Sequence, residues 1–286
     1  MAEQRPDLIH EECLKRMSFT TMEALYKDLE GLYKKVNRYQ FIAPDPLCFV
    51  YRYSTALDRE VAGLIASAIA YGRVGQIRKS LDVIFERIGC PGDYISGGSF
   101  VRFRRDFLDF KHRFTTGEDV ASLLLALKRA IETFGSLKDF FRRGVKEEDE
   151  TYLPALQSFL RGLRIFSENR SGFLLPDPDK GSAFKRLNLF LRWMVRCDDV
   201  DPGVWRDLSC SKLIVPLDTH MYKIGYDLGL TKRRQADLVT ALDITESFRK
   251  INPNDPVRYD FSLIQLSIQN SVLLDQFIAQ AKKKAA

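Results

Sequence analysis

Residues 212–230 read KLIVPLDTHMYKIGYDLGL: an apolar run and a proline, then an aspartate that leads apolar residues at helical spacing. Asp218 stands where the N-cap of a helix belongs, and Gly229 stands where a left-handed residue ends one. Capping alone is enough to explain Asp218. A carboxylate fixed by such a cap can also project into a cleft and stay ionised beside the helix dipole, so one side chain can fill both roles.

Helical periodicity continues through most of the chain, and few segments alternate like strands. We therefore predict a mainly α protein. The predicted helices are Thr20–Arg38, a segment capped by Asp58 that ends near Gly72, Val74–Ile88, Glu118–Phe134, Leu137–Arg143, Tyr152–Glu168, Ser182–Arg196, Asp218–Leu228, Thr231–Lys250 and a final pair after the turn Asn252–Pro256. Thr231 and Asp255 are the predicted N-caps in the last third.

A chain of 286 residues with 45% hydrophobic residues can bury one large core or two smaller ones. We expect one compact unit with two helical lobes. Residues 1–90 and 179–286 are predicted to form its core, and residues 91–178 an inserted helical lobe. A turn at Pro91 marks the first boundary, and the stretch Leu175–Gly181, rich in proline and aspartate, serves as a linker at the second.

Composition limits both the chemistry and the compartment. The five cysteines have no CxxC spacing and the three histidines lie far apart, so we expect no metal site and no cofactor. No apolar run approaches the roughly 20 residues of a membrane span, and the N-terminus lacks the apolar core of a signal peptide. The sequence therefore predicts a cytoplasmic monomer that does not contact the membrane.

The basic residues point to a polyanion partner. Net charge is +6 with a pI of about 9.0. In the predicted helix Ser182–Arg196, the side chains of Arg192 and Arg196 each fall within roughly 20° of Lys185 at about 100° per residue. They form a basic stripe that is either a solvated face or a phosphate-binding face. The turn before the helix could aim free backbone amides at a phosphate.

A second candidate binding element is the turn after the apolar helix Leu64–Ala70, where Tyr71, Arg73 and Gln76 follow in close succession. An aromatic ring, a guanidinium and an amide on one turn between helices are the groups that wedge into or stack on nucleic acid. Tyr71 could instead be an ordinary core residue.

Several motifs occur together: Asp45-Pro46-Leu47, Lys185-Arg186-Leu187-Asn188, Arg192-Trp193-Met194-Val195-Arg196, Pro216-Leu217-Asp218-Thr219-His220 and Asp255-Pro256-Val257-Arg258-Tyr259-Asp260-Phe261. In this combination they resemble a bacterial family known only as a domain of unknown function. The resemblance spans most of the chain, and it implies no activity by itself.

A more distant resemblance does imply one. Leu217-Asp218-Thr219-His220 and the apolar helix after it resemble the helix that bears the catalytic aspartate in endonuclease III-type DNA glycosylases. The helix Leu64–Ala70 and its turn are similar to the DNA-intercalating turn of that helix-hairpin-helix fold. The Leu-Pro-Gly-Val-Gly hairpin is missing, and no cysteine follows Cys210 to build an iron-sulfur loop. The gap of more than thirty positions between Lys185 and Asp218 resembles the archaeal 8-oxoguanine glycosylase branch.

This resemblance implies a two-lobed, DNA-glycosylase-like architecture and a catalytic pair, Lys185 and Asp218. Either Lys185 or Arg186 could match the catalytic lysine, but only a lysine can form a Schiff base, which also permits abasic-site lyase activity. If Lys185 points elsewhere, Asp218 could activate water and give a glycosylase without lyase activity. Damaged duplex DNA is the implied partner, and the residues assigned to binding it are Tyr71, Arg73, Gln76, Arg186, Arg192, Arg196 and His220.

Two other interpretations remain. The first is a nucleic-acid-binding protein that keeps the fold without the chemistry and needs Asp218 only as a cap. The second is a metal-dependent nuclease that uses Asp218, His220 and Asp260. Dependence of activity on both Lys185 and Asp218 would separate the glycosylase from the binding protein, and insensitivity to chelators would count against the nuclease.

Overall fold

The computed structural model describes residues 19–269 and 271–285. Helices make up 64% of it and strands 2%, which confirms the mainly helical class. The helices are α1 Phe19–Val36, α2 Ala56–Ile69, α3 Val74–Ile88, α4 Pro91–Ser96, α5 Phe100–Asp106, α6 Gly117–Phe134, α7 Leu137–Arg142, α8 Leu153–Phe166, α9 Lys185–Val195, α10 Thr219–Asp227, α11 Leu238–Ile251, α12 Asp260–Gln269 and α13 Ser271–Ala285. Two short strands, β1 Lys111–His112 and β2 Thr115–Thr116, pair antiparallel. His10 and Cys13 lie outside the described residues.

Helix α2 is the centre of the packing. Its residues from Glu60 to Ile69 are all buried, as expected of a helix that is apolar on every side. It contacts α9, the 3₁₀ segment Pro46–Arg52, and helices α3, α4 and α7. Glu60 accepts hydrogen bonds from the Trp205 indole at 2.8 Å and the Leu137 amide at 2.9 Å, so its carboxylate joins α2 to two distant parts of the chain.

Two groups of helices surround this centre. Helix α1 packs against α11, α12 and α13, so the start and the end of the described chain lie together. Helix α6 packs against α4, α5, α7 and α8. Buried side chains from all three predicted segments belong to one continuous hydrophobic core. The boundaries near residues 90 and 178 stay a prediction.

Side-chain caps start six of the helices, and three predicted caps are wrong. Asp218 caps α10, and Gly229 after it has a φ of 74°, both as expected. Helix α2, however, begins at the cap of Thr55, and Asp58 instead accepts the Gly92 amide at 2.7 Å. Asp237, not Thr231, caps α11. Asp255 caps no helix, because its carboxylate is bound to an arginine.

That arginine belongs to a buried ionic network, and the predicted basic stripe is therefore wrong. Arg192 and Arg196 are each only 2% exposed. Both guanidinium groups bind Asp201, while Arg192 also binds Asp260, and Arg196 also binds Asp198 and Asp255. Helical spacing correctly predicts that the two arginines project from the same side of α9. It could not show that two carboxylates from the loop after α9 and two from the start of α12 converge there.

Removing one of these arginines should destabilise the protein strongly, because it leaves buried carboxylates without a counter-charge. We expect Arg196→Ala to lower the free energy of unfolding by about 3–5 kcal/mol. Arg38→Ala is the control, since Arg38 pairs with Asp199 at 2.8 Å and both side chains are more than half exposed; it should cost less than about 1 kcal/mol. Urea unfolding measures both, and equal losses would contradict the network.

Candidate functional site

A cavity of about 330 Å³ lies where the N-termini of α9 and α10 meet the end of α2 and the start of α12. Its volume is in the range of small-molecule sites. Much of its wall is apolar, with Leu189, Pro216, Phe261 and Ile264 among the lining residues. The ionisable residues that line it are Asp45, Tyr71, Lys185, Arg192, Asp218, His220 and Asp260.

Asp218 both caps α10 and faces this cavity. Its Oδ1 accepts the Met221 amide at 2.8 Å, which satisfies one of the free amides of the first helical turn. Its Oδ2 lies 4.0 Å from the Nζ of Lys185. The two functions expected of this carboxylate therefore use different oxygens, and the side chain stays 25% exposed to the cavity and solvent.

Lys185 is the first residue of α9, and its amine reaches the end of α2. Nζ donates to the Ala70 carbonyl at 3.4 Å and faces Asp218 across the cavity. Phe184, just before it, has a φ of 49° and a buried ring, so the chain enters α9 through a left-handed turn that an anchored aromatic holds. A contact of 4.0 Å leaves room for the amine to move toward a bound group.

Arg186 points away from the cavity that Lys185 and Asp218 share. It donates to the Ala68 carbonyl at 2.6 Å and to the Phe173 carbonyl, and its guanidinium lies 4.4 Å from the centre of the Phe173 ring. Burial lowers its pKa to about 10, so it stays charged at neutral pH. These bonds tether Arg186 to two segments of the main chain, and its contact with nucleic acid stays a prediction. A smaller cavity of about 290 Å³ beside it adjoins the first at Tyr71 and Lys185.

The cavity wall contains an ion pair with one free atom on each partner. Arg192 and Asp260 are almost fully buried and bind each other, yet within residues 19–269 and 271–285 Nη2 of Arg192 and Oδ1 of Asp260 have no hydrogen-bond partner. Burial raises the pKa of Asp260, and the Arg192 charge opposes that rise. A ligand that offers an acceptor and a donor would satisfy both atoms. Asp45 lines the same cavity and its pKa is likewise raised by burial.

Of the three residues predicted to wedge into nucleic acid, only Tyr71 lines the cavity. Tyr71 lines it together with Gly72, but Arg73 is exposed outside the lining, and Gln76 lies in a separate surface groove beside Lys111. The Tyr71 hydroxyl donates to the His112 carbonyl at 2.9 Å and lies 2.6 Å from the Thr115 hydroxyl. Tyr71 is thus a fixed wall residue and does not project as a free wedge.

The β1–β2 hairpin that holds Tyr71 is a part of the site that the sequence did not indicate, because its strands are only two residues long. His112 is fully buried in it, with Nε2 at 3.0 Å from the Tyr71 carbonyl and Nδ1 at 2.8 Å from the Ser80 hydroxyl. The imidazole therefore ties the hairpin to α3 and to the turn after α2.

A family model for proteins described as "Protein of unknown function (DUF2400)" matches residues 45–269 of this chain. The chain belongs to this family. The matched region contains the ionisable residues of the cavity, from Asp45 to Asp260. No curated protein and no solved structure matches the chain.

Three further findings concern other sequence expectations. Across residues 19–269 and 271–285, no helix is long and apolar enough to cross a membrane. His220 is exposed at the cavity, and its Nδ1 lies 2.8 Å from the Ser267 hydroxyl. In the same described part of the chain, no three His, Cys, Asp or Glu side chains are arranged to hold a metal ion, the set Asp218, His220 and Asp260 included.

The buried imidazole should make stability depend on pH. Burial, assisted by the nearby Arg113 charge, lowers the pKa of His112, and the hydrogen bond with Tyr71 opposes this. A base with a lowered folded-state pKa contributes fully above its unfolded pKa, near 6.5, and loses that contribution as the pH falls toward the folded value. Between pH 7 and 5 the melting temperature of the wild type should fall further than that of His112→Gln. An equal fall in both would contradict this function of His112.

Proposed function

We propose that this protein is a DNA glycosylase that uses Lys185 as nucleophile and Asp218 as its electrostatic and proton-accepting partner, with abasic-site lyase activity. The observation that carries the proposal is the placement of the Lys185 amine 4.0 Å from the free Asp218 oxygen at a common cavity. Triads and metal clusters are not needed for this chemistry. An amine and a carboxylate next to a base-sized cavity are sufficient.

The reaction follows from the positions of these groups. A damaged base leaves the duplex stack and enters the cavity, which costs a few kcal/mol that contacts in the pocket must offset. The amine of Lys185 attacks the sugar C1′ while the glycosidic bond breaks and its electron pair leaves with the base. Asp218 stabilises the developing oxocarbenium charge and accepts the proton that the amine releases. The nitrogen lone pair then opens the sugar ring by breaking the C1′–O4′ bond, and O4′ takes the proton that Asp218 holds. The resulting imine permits strand cleavage by β-elimination.

Several features support this assignment of residues. Asp218 keeps its cap through Oδ1, so Oδ2 can interact with the reacting sugar without loss of the helix start. Lys185 is the lysine at the cavity, whereas the guanidinium of Arg186 is bound to main-chain carbonyls. The distant resemblance to glycosylases pairs the turn after α2 with the start of α10, and Tyr71 and Asp218 line one cavity. We extend the proposal to a two-lobed, glycosylase-like architecture.

The free atoms of the Arg192 and Asp260 pair suit a base with adjacent donor and acceptor atoms, as in the ring amides of oxidised or deaminated bases. Through this contact Arg192 would recognise the damaged base, whereas the sequence analysis places Arg192 on a phosphate-binding face. Burial of Arg192 and Arg196 removes the basic stripe as an argument both for the glycosylase and for the alternative, a binding protein without chemistry.

Borohydride trapping on duplexes that carry an abasic site or a panel of damaged bases tests the nucleophile. A Schiff-base lysine must give a covalent adduct with the wild type. Lys185→Gln and Lys185→Arg should abolish it, the second because it keeps the charge without a nucleophilic amine. Lys180→Gln is the control, since Lys180 is an exposed lysine five positions earlier. An adduct that survives both Lys185 substitutions would show that the nucleophile is another residue.

Asp218→Asn tests the carboxylate. Asparagine caps helices about as well as aspartate, so the melting temperature should change little. The rate of base release should fall by a factor on the order of 10²–10³, because the charge that stabilises the transition state is lost. A variant that folds and turns over at the wild-type rate would restrict Asp218 to capping. If the wild type gives neither adduct nor base release on the whole panel, the glycosylase proposal fails.

A further inference from the structure

Three aromatic rings form a row from the cavity wall to the tip of the β1–β2 hairpin. The ring centres of Tyr71 and Phe173 are 4.8 Å apart, and those of Phe173 and Phe114 are 6.0 Å apart. Exposure increases along the row, because Tyr71 is half-buried, Phe173 is 48% exposed and Phe114 is 69% exposed. We call these three residues the aromatic row.

The hairpin holds the end of this row rigidly. His112 is fully buried and Thr115 is buried, so the strands on either side of the tip are fixed to the protein. Arg113 has a φ of 52°, a left-handed conformation that is unfavourable for a residue with a side chain and is tolerated here at the turn. A large ring displayed on a fixed tip loses little conformational freedom when it binds a partner.

The surface around the tip is basic. Arg73, Lys111 and Arg113 are exposed, and within residues 19–269 and 271–285 none of the three forms an ion pair. The Arg113 side chain lies over Gly72, beside Arg73, and its guanidinium is 5.5 Å from the centre of the Phe114 ring. Unpaired cations around an exposed aromatic ring match a strand of nucleic acid, which offers phosphates and flat bases together.

We propose that the hairpin tip is a stacking platform for nucleic acid: Phe114 stacks on a base next to the flipped nucleotide, and Arg73, Lys111 and Arg113 contact the flanking phosphates. The inference rests on the proposed function for the identity of the strand. It also corrects the sequence interpretation, since it moves the stacking residue from Tyr71 to Phe114. Tyr71 becomes a positioning residue that holds the hairpin through its hydroxyl.

Binding to a duplex that cannot react with the protein tests the stacking platform. A duplex with a tetrahydrofuran abasic-site analogue has no aldehyde, so Lys185 cannot form an imine with it. Phe114→Ala should weaken binding by roughly 5- to 150-fold, the range for loss of one stacked base. Phe114→Trp should retain it. The matched control is Leu108→Ala, because Leu108 is an apolar side chain that is 82% exposed and does not belong to the aromatic row.

Two further measurements distinguish base stacking from electrostatic attraction to phosphates. A 2-aminopurine beside the analogue should be quenched by the wild type and by Phe114→Trp but not by Phe114→Ala. A plot of log affinity against log salt concentration has a negative slope. Arg113→Gln should make this slope less steep by about 0.9, as expected when one phosphate contact is lost. Both measurements use the full chain.

Each outcome either supports or overturns the proposed stacking platform. It is overturned if the wild type does not bind the duplex, or if Phe114→Ala and Leu108→Ala bind it equally well. It is also overturned if Phe114→Ala abolishes self-association in sedimentation while the affinity for DNA stays unchanged, since the tip would then be a dimer contact. If binding depends on Phe114 but borohydride trapping fails on every lesion, the platform stands and the proposed chemistry fails.

Discussion

Burial of two guanidinium groups is the constraint on which the rest of the structure depends. Charges in an apolar interior are tolerated only with close counter-charges, so Arg192 and Arg196 require the carboxylates that surround them. Those carboxylates come from the loop after α9 and from the segment that leads into α12. The ionic network therefore fixes the position of α9 relative to α12. Lys185 and Asp260, on these two helices, line one cavity as a result.

Helix ends supply the other walls of the cavity. The last carbonyl groups of α2 face the Lys185 amine and the Arg186 guanidinium, which are the cations that a helix C-terminus favours. The first amides of α10 are capped by Asp218. An amine and a carboxylate are thus held near each other by requirements of the backbone. In the proposed reaction, the substrate enters between them.

The hairpin connects the cavity to the outer surface. His112 and the Tyr71 hydroxyl tie it to the turn after α2, so a contact at the Phe114 tip is mechanically coupled to the cavity wall. Tyr71 illustrates how an apparently free aromatic acquires a structural role from a neighbour distant in sequence. Proteins that stack on bases place such rings on rigid supports, because less conformational entropy is lost on binding.

The sequence by itself determined what depends on near neighbours. Helical class, the bounds of α3 at Val74–Ile88 and the cap at Asp218 follow from periodicity and from side-chain bonds within one turn. Only the tertiary structure decided the rest. It buried Arg192 and Arg196, directed Lys185 and not Arg186 into the cavity, and placed a hairpin against Tyr71. Each of these outcomes depends in part on groups tens of residues away, whose approach is set by core packing and charge compensation and leaves no local pattern in the sequence.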